Sequence, residues 1–197
     1  MNALRKINAG MKKNDHFDIY HNSNGNKYRY ALGKNKNGKN TLFCFGINPS
    51  TANSEEADTT ITKVENVTYR KGKAKDIPFT EIFDSFVMLN IYPLRATKPK
   101  DLPKKIVNVK KTPVHLKNVE YILKLIKDES VIWAAWGNLI HSRSWLDDCL
   151  KDILFKIKKT KKNIRWVKMG NLTMENEPPH PSRVKYQEFS EYTVKDI

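Results

Sequence analysis

Four short, nearly continuous apolar runs, at residues 41–47, 85–92, 131–135 and 164–169, alternate with segments whose apolar residues recur at helical spacing. Runs that are apolar on both faces suit strands covered from both sides. Alternating them with connections long enough for helices selects a parallel sheet between helical layers. Ile61, Val64 and Thr68 mark a first helix, and Leu116, Val119, Ile122, Leu123 and Ile126 a second. Trp145, Leu146, Cys149, Leu150, Ile153, Leu154 and Ile157 form the apolar stripe of a third, with Lys151, Lys158 and Lys159 on its solvated face. Ser144 followed by Asp147 reads as the capping-box-like start of that helix. The expected fold is a three-layer α/β/α sandwich around a central four-stranded parallel sheet. Tyr28-Arg29-Tyr30-Ala31-Leu32, set between Asn/Gly/Lys-rich turns, adds an antiparallel edge strand near the N-terminus.

The pattern predicts one domain over residues 1–197, with an N-terminal extension over 1–27 and the core over 41–183. No apolar run approaches the roughly 18 to 20 residues of a membrane-spanning helix, and residues 1–15 lack the apolar stretch of a signal peptide. A cytoplasmic monomer with no membrane association is expected. Cys44 and Cys149 fall inside an expected strand and helix with no paired spacing, so neither a metal site nor a disulfide framework is read, and no cofactor is implied. The 36 Lys+Arg exceed the 21 Asp+Glu, and the net charge of +15 attracts polyanions. Nucleic acid, DNA more than RNA, or a nucleotide is the expected partner. The lysine runs at 71–75, 98–111 and 156–162 are most economically solvated faces.

Each of the four apolar runs leads to a polar motif, and in an open α/β sheet ligands bind at the carboxyl ends of the strands. The motifs therefore point to one composite site. In Gly46-Ile47-Asn48-Pro49-Ser50, Ser50 and Thr51 offer hydroxyls just before a helix, a natural phosphate site. Asn48 can orient a water, and Asp58 is the nearest carboxylate able to take its proton, although Asp58 also suits an ordinary N-cap. Asn90 carries one donor and one acceptor, enough to pair with O4 and N3–H of uracil or thymine. Arg95 and Thr97 follow as phosphate candidates. Trp136 more often belongs to a core than to a ligand platform, and Gly137 allows close approach of a ligand or a helix. His180, in a segment stiffened by three prolines, can donate to a leaving group, with Ser182 and Arg183 available to a phosphate.

In this order the motifs resemble those of the uracil-DNA glycosylase superfamily. Gly46-Ile47-Asn48-Pro49-Ser50 looks like the water-positioning motif of its mismatch-specific branch, Val87-Met88-Leu89-Asn90 like its base-reading strand end, residues 131–137 like its third strand, and His180-Pro181-Ser182 like its leaving-group and phosphate loop. A closer resemblance is to an uncharacterised bacterial and phage family marked by Asn48-Pro49-Ser50-Thr51-Ala52, Arg95-Ala96-Thr97, Trp136-Gly137 and His180-Pro181. The distant likeness implies Asn48 as water-orienting, Gly46, Ile47, Asn90, Trp136 and Gly137 as base-binding, and His180 as the leaving-group donor. The sequence departs from the glycosylases in carrying Asn48 where the most active branch has an aspartate, and in Arg183 where a wedge would fill the gap left by a flipped base. The leading expectation is action on a base in DNA or a nucleotide, through its N-glycosidic bond. The alternatives are a catalytically silent base-binding module and an enzyme acting on a small phosphorylated metabolite.

Overall fold

A computed structural model describes residues 17–35, 38–50, 52 and 55–194. Among them seven strands form one sheet: β1 (Ile19–Asn22), β2 (Arg29–Asn35), β3 (Thr41–Gly46), β4 (Ser85–Asn90), β5 (Val131–Ala134), β6 (Arg165–Met169) and β7 (Phe189–Glu191). Three α-helices, α1 (Thr59–Tyr69), α2 (Pro113–Leu125) and α3 (Ser144–Thr160), connect the parallel strands. The strand order is β1-β2-β4-β3-β5-β6-β7. The four strands expected from the apolar runs are present, and β4, β3, β5 and β6 lie parallel to one another.

The sheet is nonetheless mixed and seven-stranded, not four-stranded and parallel, because antiparallel strands extend both sides. Strand β2 is not an edge: it pairs with β4 on one side and β1 on the other, so its residues 29–33 are buried. Strand β1 comes from the expected extension over 1–27, of which residues 1–16 lie outside the described residues. Strand β7 is three residues long and has no apolar run to announce it.

Period-two alternation sends neighbouring side chains of each central strand to opposite faces. Phe43, Phe45, Val87, Leu89, Ile132 and Ala134 face one core with α2 and α3. Leu42, Cys44, Phe86, Met88, Val131 and Trp133 face the other with α1. Helices thus cover both sides of the sheet. None among the described residues is long and apolar enough to cross a membrane.

The α3 stripe is buried over its full length as its spacing predicts. Its start differs, since Arg143 takes the N-cap position without a side-chain cap bond and Ser144 is already helical. Helix α2 also departs from its apolar pattern: Leu116 is exposed, and the buried face carries His115 and Asn118. Both polar side chains find partners there. His115 Nε2 lies 2.9 Å from Asp152 of α3, and Asn118 Nδ2 donates to the carbonyls of Asn90 and Ile91 at the end of β4. These bonds override the phase that the leucine alone implies.

Candidate functional site

The chain crosses from β3 through α1 to β4 on one side, then back through α2 to β5 on the other side of β3. That reversal is the topological switch point at which open α/β sheets leave a crevice. Backbone bonds tie its rim together. Ile91 and Tyr92 donate to the carbonyls of Gly46 and Ile47, Ala96 N donates to Pro49 O, and Asn48 Nδ2 donates to Ala96 O at 2.7 Å and to Pro49 O at 3.1 Å. The Asn48-Pro49 and Arg95-Ala96-Thr97 motifs are therefore one hydrogen-bonded unit. Both amide protons of Asn48 are spent holding it, which leaves Oδ1 as its hydrogen-bonding atom.

A cleft of about 170 Å³ opens over this rim. It is lined by Gly46, Ile47, Asn48, Ser50, Asp58, Asn90, Thr97 and His180 from the expected site, together with Arg29, Met88, Ala96, Leu139 and the first turn of α1. The volume lies below the roughly 300 Å³ at which pockets for drug-sized ligands begin, so it suits a single ring with at most a small polar group beside it.

Asn90 is 1% exposed, and neither Oδ1 nor Nδ2 has a hydrogen-bond partner among the described residues. A buried amide left so costs about 1–3 kcal/mol. Gly46 makes room for the neighbouring Met88, whose Cε would stand 2.7 Å from a Cβ there, with Asn90 Oδ1 at contact distance, 3.4 Å. The result is a donor and an acceptor side by side, anchored through the backbone by Asn118 and uncommitted at the side chain.

Asp58 caps α1, its Oδ1 accepting from the amides of Thr60 and Ile61 at 3.0 and 2.9 Å. Both readings of this residue meet here, because the capping carboxylate also lines the cleft. Arg29 faces the same space. It is 2% exposed, Nη1 donates to the Ala52 carbonyl, and Nε has no partner among the described residues. Burial first and then Arg95 lower its pKa, against Asp58 and Tyr20, to about 10, so the guanidinium stays charged at neutral pH.

His180 N-caps a short 3₁₀ turn over Pro181–Arg183, its Nδ1 accepting from Ser182 N and lying 2.8 Å from Ser182 Oγ. An accepting Nδ1 places the proton on Nε2. Burial holds the imidazole below its ordinary pKa, against the pull of Asp58 and with the help of Arg183, so at neutral pH it is a neutral Nε2–H donor. The loop is seated by Gly137, whose N–H donates to Pro178 O and whose φ is +61°. A Cβ at Gly137 would stand 3.3 Å from His180 Cβ.

Other expected site residues lie apart from the cleft lining. Trp136 is buried in the core and donates from Nε1 to Glu177 Oε2 at 2.8 Å. With Gly137 it acts behind His180, as support. Arg95 turns toward the N-terminal hairpin, its Nη1 donating to Tyr20 Oη and Asn26 Oδ1. Ser182 is bonded to His180, Arg183 is exposed on the same turn, and Thr51 lies outside the described residues. No group of three or more His, Cys, Asp or Glu is placed to hold a metal among the described residues.

Arg29 is the charged cleft residue absent from the expected site. It lies within Tyr28-Arg29-Tyr30-Ala31-Leu32, expected as an edge strand, whereas β2 is internal to the sheet.

Comparison with curated proteins and with solved structures returns no match. A family model described as "Protein of unknown function (DUF1643)" matches residues 29–182, and the chain belongs to that family. The matched span begins at Arg29 and ends at Ser182, so it contains every residue that lines the cleft.

Proposed function

We propose that this member of the DUF1643 family binds a nucleobase in the cleft and hydrolyses its N-glycosidic bond, in DNA or in a nucleotide. The observation that carries the reading is Asn90, whose buried side chain presents an unpartnered donor and acceptor to a cleft the size of one ring. Such a pair matches the O4 and N3–H of uracil or thymine. In the proposed reaction Asn48 Oδ1 orients a water, whose oxygen bonds to the anomeric carbon as the carbon–nitrogen bond breaks. The base leaves with the bonding electrons, and the Nε2–H of His180 stabilises that charge. The oxygen of Asp58 not used in capping accepts the water's proton. The resemblance of the strand-end motifs to the uracil-DNA glycosylase superfamily supports the same assignment, and the net charge of +15 favours a phosphate-bearing substrate.

The test is incubation with uracil, mismatch and modified-base oligonucleotides and with the corresponding mononucleotides, measuring free base and abasic sites. Release of one base, lost in Asn90→Ala and in His180→Ala, is expected. Undiminished release by the double variant would overturn the roles. Because Asn48 spends both donors on the rim and Asp58 caps α1, a second reading is base recognition without cleavage. Tight binding with no base released from any substrate would select it.

A further inference from the structure

Arg29 opens β2, and β2 runs antiparallel to β4, so Arg29 and the terminal Asn90 of β4 come to the same end of the sheet and line the same cleft. A guanidinium that is 2% exposed normally has a carboxylate partner, because an unpaired buried charge is expensive. Here one carbonyl accepts from Nη1, and among the described residues Nε has no partner and no carboxylate forms an ion pair with Arg29. Asp58 is near enough to favour the charged form, while Arg95 adds a second cation nearby. The cleft therefore holds a fixed positive charge whose hydrogen-bonding capacity is unfilled at Nε. An oxyanion would complete it through charge-assisted bonds.

Building on the base-reading role of Asn90, we propose that the ligand is a nucleoside monophosphate, its terminal phosphate on Arg29 and its base on Asn90. The hydroxyls of Ser50 and Thr97 line the same cleft and add phosphate donors. A terminal phosphate can enter a narrow cleft and reach a buried guanidinium with nothing attached beyond it. A backbone diester must keep both its chain connections outside, and that geometry favours the free nucleotide over a DNA strand.

Calorimetric titration of the full chain with deoxyuridine, deoxyuridine 5′-monophosphate, inorganic phosphate and a uracil-containing single-stranded oligonucleotide tests this. The monophosphate is expected to bind about tenfold or more tighter than the nucleoside, the advantage vanishing in Arg29→Gln while nucleoside affinity stays. Wild-type competition supplies the same information without a variant: inorganic phosphate should weaken the monophosphate and leave deoxyuridine unaffected. Equal affinities for nucleoside and monophosphate would overturn the phosphate subsite and leave the Asn90 reading standing. Binding of inorganic phosphate with no binding of nucleoside or monophosphate would overturn the Asn90 reading, and with it the monophosphate, leaving a bare anion site. An oligonucleotide that binds tighter than the monophosphate, with the same dependence on Arg29, would overturn the assignment to a free nucleotide.

Discussion

Two groups of buried polar side chains sit on this scaffold, and they differ in what holds them. Between α2 and α3, His115 meets Asp152 at 2.9 Å, Asp152 meets Lys156 at 2.9 Å, and Asn118 donates to two strand-end carbonyls. His115 Nδ1 and Asn118 Oδ1 are left over, but each side chain is tied by at least one bond. At the cleft, Asn90 has neither of its polar atoms paired and Arg29 has a bare Nε. The first group is matched within the protein, and its removal should be felt as lost stability. The second is left partly unmatched by the described residues, entirely at the Asn90 side chain and at Nε of Arg29, and its removal should be felt by a ligand.

That contrast is sharpened first by His180→Ala, for which the largest effect is expected. Loss of one preorganised donor to developing charge should lower base release by about 10²–10³-fold. The melting temperature should barely move, because the side chain bonds only within its own short turn. The same residue sets a pH limb: its pKa lies below the ordinary histidine value, so activity should hold at neutral pH and fall on the acid side, where a proton on Nδ1 ends its acceptance from Ser182 N and unseats the ring.

Asp152→Ala should do the reverse. It strands His115 in the interior and frees Lys156, and urea unfolding should show a loss of about 3 kcal/mol with ligand affinity unchanged. Burial alone would raise the Asp152 carboxyl, but Lys156 and His115 together hold it low. A loss under about 0.5 kcal/mol, the range of an ordinary surface substitution, would break the distinction between the two groups.

His21 comes next. It is 5% exposed and stacks on Tyr121 with ring centroids 5.0 Å apart. Burial and then Lys124 lower its pKa from 6.5 to about 4. The unfolded chain binds that proton more readily, so the contribution is whole above pH 6.5 and is lost as pH falls toward 4. Solvent screening reduces the loss to on the order of 2 kcal/mol. His21→Phe should flatten this part of the stability–pH curve.

Gly137→Ala should cost about 1 kcal/mol, from its positive φ and from contact with His180, and should weaken base release beyond that by displacing the loop. The smallest stability effect belongs to Asn90→Ala. Losing an amide with no partner should change unfolding free energy by less than about 1 kcal/mol in either direction while abolishing recognition.

The central strands and α3 were legible because burial on both faces leaves apolar runs, and burial on one helical face leaves a 3.6-residue stripe. Strands β1 and β7 were not, since four residues alternating in burial and three mostly exposed ones acquire their structure from the neighbours they pair with. The buried face of α2 was misjudged for a related reason: His115 and Asn118 are inside because of partners 37 and 27–28 residues away, which no local pattern carries. Of the site, the strand-end motifs could be read because switch-point geometry makes such ends converge. Trp136 and Arg95 carried the right chemistry and point elsewhere, and Arg29 entered once β2 proved internal.

The central claim is that the unpaired Asn90 amide reads a base. Titration of uracil into ¹⁵N-labelled protein, with the Asn90 side-chain signals assigned by their absence in Asn90→Ala, addresses it directly. A saturable shift of the Asn90 Nδ2 protons, with little change in those of Asn118, is the predicted result. Asn90 signals that stay fixed while uracil, thymine and their nucleotides are raised to saturating concentrations would contradict it.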